Sequence, residues 1–242
     1  MTTLEENIVP IDFETLYLRL RDEEKRIYSD EEVLQLPVIA STHPHYKEWQ
    51  VRNESAQKLI SYLRKRKHSN DVLEIGCGNG WLSHRLSALP GSRIIGTDIN
   101  FSEIQQAARV FQTITNLHFI YARADSNFFK EKRFDTIVFA ASLQYFESLT
   151  GIINNTLRLL KQGGEIHIID TAFYSRPEIK LAKQRSCTYF ETTGFPEMVN
   201  YYFHHCLDDL EIYNYSILYD PKRIFNKFSR FKNPFYWIRI RP

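Results

Sequence analysis

From residue 72 onward, short apolar runs alternate with stretches whose apolar positions recur every three to four residues. That alternation predicts a parallel β-sheet covered by helices. Val72 to Ile75 is a compact apolar strand, and Trp81 to Leu89 follows as a helix with Leu82, Leu86 and Leu89 on one face, stopped by Pro90-Gly91. Arg93 to Asp98 is a second strand. The next helix starts near Ser102 and sets Ile104, Ala107, Ala108 and Phe111 on one stripe. Leu117 to Tyr121 and Thr136 to Ala140 read as further strands. Ser148 to Leu160 repeats the helical period through Leu149, Ile152, Ile153, Leu157 and Leu160, with Gly163-Gly164 as its C-cap signal, and Glu165 to Asp170 is the fifth strand. The expected fold is a doubly wound α/β core.

The chain on either side of this core is patterned differently. Residues 1–70 predict helices over Phe13 to Ile27, Asp30 to Leu36 and Tyr46 to Lys67. The second begins with Ser29-Asp30-Glu31-Glu32, the pattern of a capping box. The third carries a buried stripe of Trp49, Ala56, Leu59, Ile60 and Leu63. Pro37 and His43-Pro44-His45 mark a loop between them. Residues 171–206 lose the regular pattern and read as helix and loops inserted above the sheet. Residues 211–219 and 235–241 read as a last pair of strands. The expected organisation is a helical cap over 1–70 and a core over 71–242 that contains the 171–206 insertion.

Composition changes this picture little. The chain has 242 residues and a formal charge of +2, within the range of an ordinary globular protein. No apolar run reaches the length of a membrane span, and the acidic N-terminal stretch has no apolar core of a signal peptide, so no membrane role is expected. Cys77, Cys187 and Cys206 are odd in number and far apart, which fits a reducing cytoplasm and predicts neither disulfides nor a metal site. Charge is unevenly spread: residues 1–36 hold ten acids and four bases, whereas 221–242 hold seven bases and no acid. Bases among Phe225, Phe228, Phe231, Phe235, Tyr236 and Trp237 could stack nucleotide bases. A period of three along Phe225, Phe228 and Phe231 equally describes packing on the core, and an overall pI near 8.3 is low for a nucleic-acid domain.

The chemistry lies in Val72 to Leu82, VLEIGCGNGWL. Glu74, Gly76, Gly78 and Gly80 form E-x-G-x-G-x-G where a strand passes into a helix, so a ligand can approach the backbone and meet the first helical N–H groups. A dinucleotide turn wants a third glycine at position 81, which is Trp, and no G-K-[ST] of a P-loop follows. Glu74 disfavours a pyrophosphate and suits a ligand bearing an ammonium group. Asp98 closes the second strand, at the distance beyond Gly76 where an acid can accept both hydroxyls of a ribose.

These motifs, with GTDIN, FDTIVFAASLQYF and LLKQGGEIHIID after them, resemble class I S-adenosylmethionine-dependent methyltransferases, in particular the ubiquinone/menaquinone-biosynthesis group, over about residues 71–170. The resemblance implies a seven-stranded, mostly parallel Rossmann-like sheet ending in an antiparallel pair. It also implies S-adenosylmethionine as cofactor, with S-adenosylhomocysteine as product. Glu74 would face the methionine amino group. The turn Gly76, Cys77 and Gly78 would pass beneath the methionine moiety. Asp98 would hold the ribose, Ile99 would pack on the adenine, Asp125 would recognise its amino group, and Ala140 would offer a main-chain oxygen. The family's frequent His-His after the fourth strand is Gln144-Tyr145 here.

The cofactor already carries an activated methyl group, so no fixed catalytic triad is expected, and the protein chiefly aligns donor and acceptor. Candidate acceptor-side residues are Tyr145 at the carboxyl edge of the sheet, His45 in the loop before the third helix, and His204 in the insertion. Residues 1–70 are expected to act as a mobile lid, with His43 to Trp49 near the acceptor pocket. The expected acceptor is a small molecule. RNA or protein acceptors, or cofactor binding without turnover, are the alternatives.

Overall fold

The computed structural model describes residues 3–4, 11–66, 70–124, 127–129, 133–223 and 233–242. In chain order the elements are β1 (Thr3–Leu4), α1 (Ile11–Glu23), α2 (Asp30–Gln35), α3 (Tyr46–Arg64), β2 (Asp71–Ile75), α4 (Trp81–Ser87), β3 (Arg93–Asp98), α5 (Phe101–Val110) and β4 (Leu117–Tyr121). They continue with β5 (Phe134–Ala140), α6 (Leu149–Leu157), β6 (Leu160–Ile169), β7 (Phe173–Tyr174), α7 (Arg176–Thr192), β8 (His205–Cys206), β9 (Asn214–Tyr219) and β10 (Trp237–Arg241).

The main sheet runs β1-β4-β3-β2-β5-β6-β10-β9, with β10 antiparallel to both its neighbours and the other pairings parallel. This is the expected seven-stranded sheet, with the short β1 added along the edge of β4. The strand order reverses between β2 and β5, so their carboxyl ends open a crevice between the two halves of the sheet.

Alternation along the strands sends side chains to two cores. Leu73, Ile75, Ile137 and Phe139 face α6, whereas Val72 and Val138 face α3, α4 and α5. The stripe Trp49, Ala56, Leu59 and Leu63 buries α3 in that second core beside Trp81 and Leu82. A third cluster joins Phe13 and Leu20 of α1 to Phe190 of α7, to Phe195, and to Met198 of the short 3₁₀ segment Pro196–Tyr201. The helices ahead of the sheet are thus not one layer: α3 belongs to the sheet's core, and α1 to the insertion.

Several expected boundaries move for local reasons. Helix α1 stops at Glu23 rather than Ile27 because Lys25 takes φ 57°, a left-handed turn. The capping box of α2 forms as expected, with Ser29 Oγ accepting from Glu32 N. Gly163-Gly164 does not cap α6, which ends at Leu157; both glycines lie inside β6. There the β5–β6 register jumps between Phe134↔Leu160 and Thr136↔Glu165. Gly163 takes φ 75°, and a Cβ on Gly164 would lie 3.0 Å from two backbone oxygens, so this irregularity requires small residues. The last strands begin at Asn214 and Trp237, after a short 3₁₀ turn over Leu207–Leu210 in the first case. Asp125, Lys67 and the aromatic-basic stretch 224–232 lie outside the described residues. Among the described residues no helix is long and apolar enough to cross a membrane.

Candidate functional site

A cavity of about 420 Å³ opens over the carboxyl ends of β2, β3 and β5. Glu74, Gly76, Cys77, Gly78, Asp98, Ile99 and Ala140 all line it. Two periodicities bring them there. The strand period turns Glu74 to the same face as Val72, toward α4, and the left-handed turns at the glycines deliver the chain into that helix. Gly78 (φ 53°) leaves open the space that Glu103 overlooks, where a Cβ would lie 3.3 Å from Oε2. Gly80 serves packing instead: a Cβ there would lie 2.4 Å from the Phe119 ring.

The carboxyl groups of the site are unusual. Glu74 is 2% exposed and accepts from Ser83 Oγ at 2.6 Å. Burial, and to a lesser degree the charge of Asp98, pushes it up to about 8. Asp98 is also raised, chiefly by burial; its Oδ2 accepts from Gly78 N at 2.8 Å and its Oδ1 from Asn100 N at 2.9 Å. Glu103, in the first turn of α5, is pushed up to about 7 by burial and by Asp98, against the pull of Arg21 and Arg52. Beside these acids, the Asn100 side-chain nitrogen is buried and without a hydrogen-bond partner, while its oxygen caps α5 through Glu103 N.

These features fit S-adenosylmethionine. Asp98 and Glu103 offer oxygens that could accept from a ribose diol, the Asn100 amide has an unused donor, and Glu74 is a buried acid that an ammonium group would re-ionise. At the Glu74 end, Trp49 and Trp81 meet edge to face at 5.3 Å, and the Arg52 guanidinium lies 5.4 Å over Trp49. Arg26 and Arg52 both bind Glu48, with contacts of 2.6–3.0 Å. Despite its burial, the two cations bring Glu48 down to about 2.

The opposite wall comes from α1 and the turn after β5. Phe13, Tyr17 and Tyr145 line it, with Tyr145 edge-on to Tyr17 at 5.6 Å and to Phe13 at 6.1 Å. Of the three candidates for acceptor chemistry, only Tyr145 lines the cavity. His45 stands outside it at the start of α3, its Nε2 2.6 Å from the Glu24 carbonyl and its Nδ1 3.8 Å from Glu48. His204 Nε2 is 2.9 Å from Ser186 Oγ, and its ring sits between Tyr174 and Tyr202. Of the segment His43 to Trp49, Trp49 reaches the cavity whereas His43 packs on Tyr28.

Sequence reasoning missed Glu103, Asn100, Tyr17 and Arg21. Asn100 and Glu103 stand where an N-cap and its third residue would stand, and that capping role hides their second face. Tyr17 and Arg21 are one turn apart on α1, a spacing that signals a shared helix face but not what the face meets.

Residues 72–164 match the family described as "Methyltransferase domain". Residues of this chain are 31% identical over 128 positions to malonyl-[acyl-carrier protein] O-methyltransferase 1 of Ilyobacter polytropus, covering 52% of this chain and 47% of that protein. They are 30% identical over 120 positions to a ubiquinone/menaquinone biosynthesis C-methyltransferase of Pseudomonas putida, covering 48% and 46%. The chain thus spans about half the length of these curated relatives. Its fold is similar to that of magnesium protoporphyrin IX methyltransferase from Synechocystis PCC 6803, with a TM-score of 0.59 at 13% identity over 98% of this chain and 100% of that one. Over residues 72–164 the chain is thus similar to methyltransferases.

Proposed function

We propose that this protein transfers a methyl group from S-adenosylmethionine to a small-molecule acceptor and releases S-adenosylhomocysteine. One observation supports this reading above the others: a single cavity joins the acidic glycine-turn edge of the sheet to an aromatic wall from α1 and the turn after β5. Its volume of about 420 Å³ falls within the ~300–1,000 Å³ of small-molecule sites.

When bound, the cofactor supplies a sulfonium-activated methyl group. In the proposed arrangement Glu74 holds the ammonium of the methionine end, with the turn at Gly76, Cys77 and Gly78 beneath it. Asp98 accepts from the ribose, and Glu103 shares that task. Ile99 packs on the adenine, and Ala140 offers its carbonyl. Asp125 keeps the adenine-recognition role that the resemblance implies. Tyr145 orients the acceptor: burial raises its phenol, so it stays protonated and acts as a donor rather than a base. His45 and His204 have no part in this arrangement, because neither reaches the cavity. Orientation of a nucleophile along the S–CH₃ bond is the chain's main contribution to rate. The three free cysteines support a cytoplasmic setting.

Incubation with methyl-labelled S-adenosylmethionine and pooled metabolites, with RNA in a parallel arm, tests the reading. Label is expected in a small product, and Tyr145→Phe should slow its formation by about 10-fold or more through lost alignment. Label entering RNA alone, or tight cofactor binding with no labelled product from any pool, would refute it.

A further inference from the structure

The aromatic wall of the cavity contains a cation whose hydrogen-bonding capacity is only partly used. Arg21 Nε donates to the Tyr17 hydroxyl at 2.9 Å, and the guanidinium lies 5.0 Å from the centre of the Tyr17 ring. Its nearest carboxylate, Glu24, is 3.5 Å away. Arg26 and Arg52 differ, since both are committed to Glu48 at shorter range. The Arg21 side chain is 23% exposed, and it lines the cavity.

Tyr17 completes the feature. Its oxygen accepts from Arg21, so its own proton is directed to another acceptor, and among the described residues it donates to none. Burial holds this phenol well above its ordinary value, so the proton stays in place. The Arg21 guanidinium and the Tyr17 O–H together present donors into a chamber walled by Phe13 and Tyr145. The carboxylates that face Arg21 from other elements are Glu103 of α5 and Glu24 beyond α1, and Arg26 adds a like charge that pairs with Glu24 at 3.0 Å. Neither carboxylate forms a short pair with Arg21.

We infer that Tyr17 and Arg21 form the recognition point for a carboxylate on the acceptor, and that the acceptor is therefore an organic acid with an apolar body. A guanidinium backed by a hydroxyl matches the two oxygens of a carboxylate, and the aromatic rings supply the apolar contact. The cofactor's own carboxylate belongs with the ammonium at the Glu74 end, where Arg52 lies over Trp49 and beside Trp81. Arg21 instead bonds the Tyr17 hydroxyl, whose ring meets Tyr145, and it connects to Arg52 through Glu24, Arg26 and Glu48. This inference rests on the methyltransferase reading above and narrows its acceptor.

Calorimetry tests it with benzoate and octanoate against benzamide and octanamide, each with and without saturating S-adenosylhomocysteine. The wild-type protein is expected to bind at least one acid about 10-fold more tightly than its amide. Arg21→Gln should abolish that preference, and Tyr17→Phe, which keeps the ring, should reduce it about threefold. Both variants should bind S-adenosylhomocysteine within about twofold of wild type. Acids that bind no better than their amides, or a preference that survives Arg21→Gln, would overturn the inference. Loss of S-adenosylhomocysteine affinity in Arg21→Gln, without any acid preference in wild type, would assign Arg21 to the cofactor and overturn it as well. An acid preference in a protein that ignores S-adenosylhomocysteine would support the carboxylate site and refute the cofactor reading instead.

Discussion

The two walls of the cavity are built in different ways. Most of the proposed cofactor wall comes from one stretch, in which β2, the glycine turn, α4, β3 and α5 bring Glu74, Gly78, Asp98 and Glu103 together, with Ala140 of β5 added. The acceptor wall is assembled from distant pieces: Phe13 and Tyr17 of α1, Tyr145 after β5, and behind them Tyr201 and Tyr202. A contiguous wall is fixed by backbone geometry, whereas a wall of distant pieces is fixed by side-chain packing and can change without disturbing the sheet. In the proposed arrangement the first wall would hold the cofactor and the second would choose the acceptor.

The sharpest way to break this comparison is at Gly80. Its left-handed φ and the 2.4 Å approach to Phe119 leave no room for a Cβ. Gly80→Ala is expected to cost roughly 3 kcal/mol or more, combining overpacking with left-handed strain, measured by denaturant unfolding. In the acceptor wall Tyr17→Phe, which removes one hydroxyl, should stay within about 1 kcal/mol. Equal costs would erase the distinction.

Glu74 sharpens it further, because a binding group in the rigid wall is held at the expense of stability. A carboxyl raised from 4.5 to about 8 keeps its proton in the folded chain while the unfolded chain has released it. Stability is therefore withdrawn as pH climbs from about 4.5 to 8. Glu74→Gln should raise unfolding stability at pH 8 by roughly 4 kcal/mol, leave it little changed at pH 4, and weaken S-adenosylhomocysteine binding. A variant no more stable at pH 8 than wild type would contradict the burial account.

If the proposed cofactor arrangement holds, the same carboxyls make cofactor capture proton-linked. Glu74 near 8 and Glu103 near 7 hold protons at neutral pH in the free protein, and an ammonium group and a ribose favour their ionised forms. Binding at pH 7 should release about one proton, read by calorimetry in buffers of different ionisation enthalpy. Affinity should accordingly rise with pH up to about 8. Proton uptake, or no linkage, would remove these acids from the cofactor wall.

The mobility expected of the helical cap divides along the same line. In the structure α3 is buried in the sheet's core, and α1 packs on the insertion. Glu14 of α1 also accepts from Phe101 N at the start of α5, at 2.7 Å. Hydrogen exchange over residues 13–23 should slow several-fold when S-adenosylhomocysteine binds, while residues 49–63 should already be protected without it. Slowing confined to α3 would reverse this assignment.

Much of the fold was legible because apolar periodicity and turn residues report local structure, as at Asp98, where strand end and acid coincide. Gly163-Gly164 misled because paired glycines after an apolar helix give the same signal as an irregular strand, and only the partner strand distinguishes them. Within the site, Asp98 and the glycine turn were legible from spacing. Tyr17, Arg21 and Glu103 were not, because their positions in a helix are explained equally well by an exposed face or a cap. The histidines were overrated for the converse reason: a side chain suited to catalysis reveals nothing of what it touches, and His45 and His204 bond elsewhere.

The most direct test of the central claim is a calorimetric titration of S-adenosylhomocysteine into wild type, Asp98→Ala and Tyr17→Phe. If the cofactor belongs to the contiguous wall, Asp98→Ala loses roughly 1.5–3 kcal/mol of binding free energy, the scale of hydrogen bonds to a charged group. Tyr17→Phe then binds as tightly as wild type. Unchanged affinity in a folded Asp98→Ala protein, or an equal loss in Tyr17→Phe, would contradict the division of the cavity into a cofactor wall and an acceptor wall.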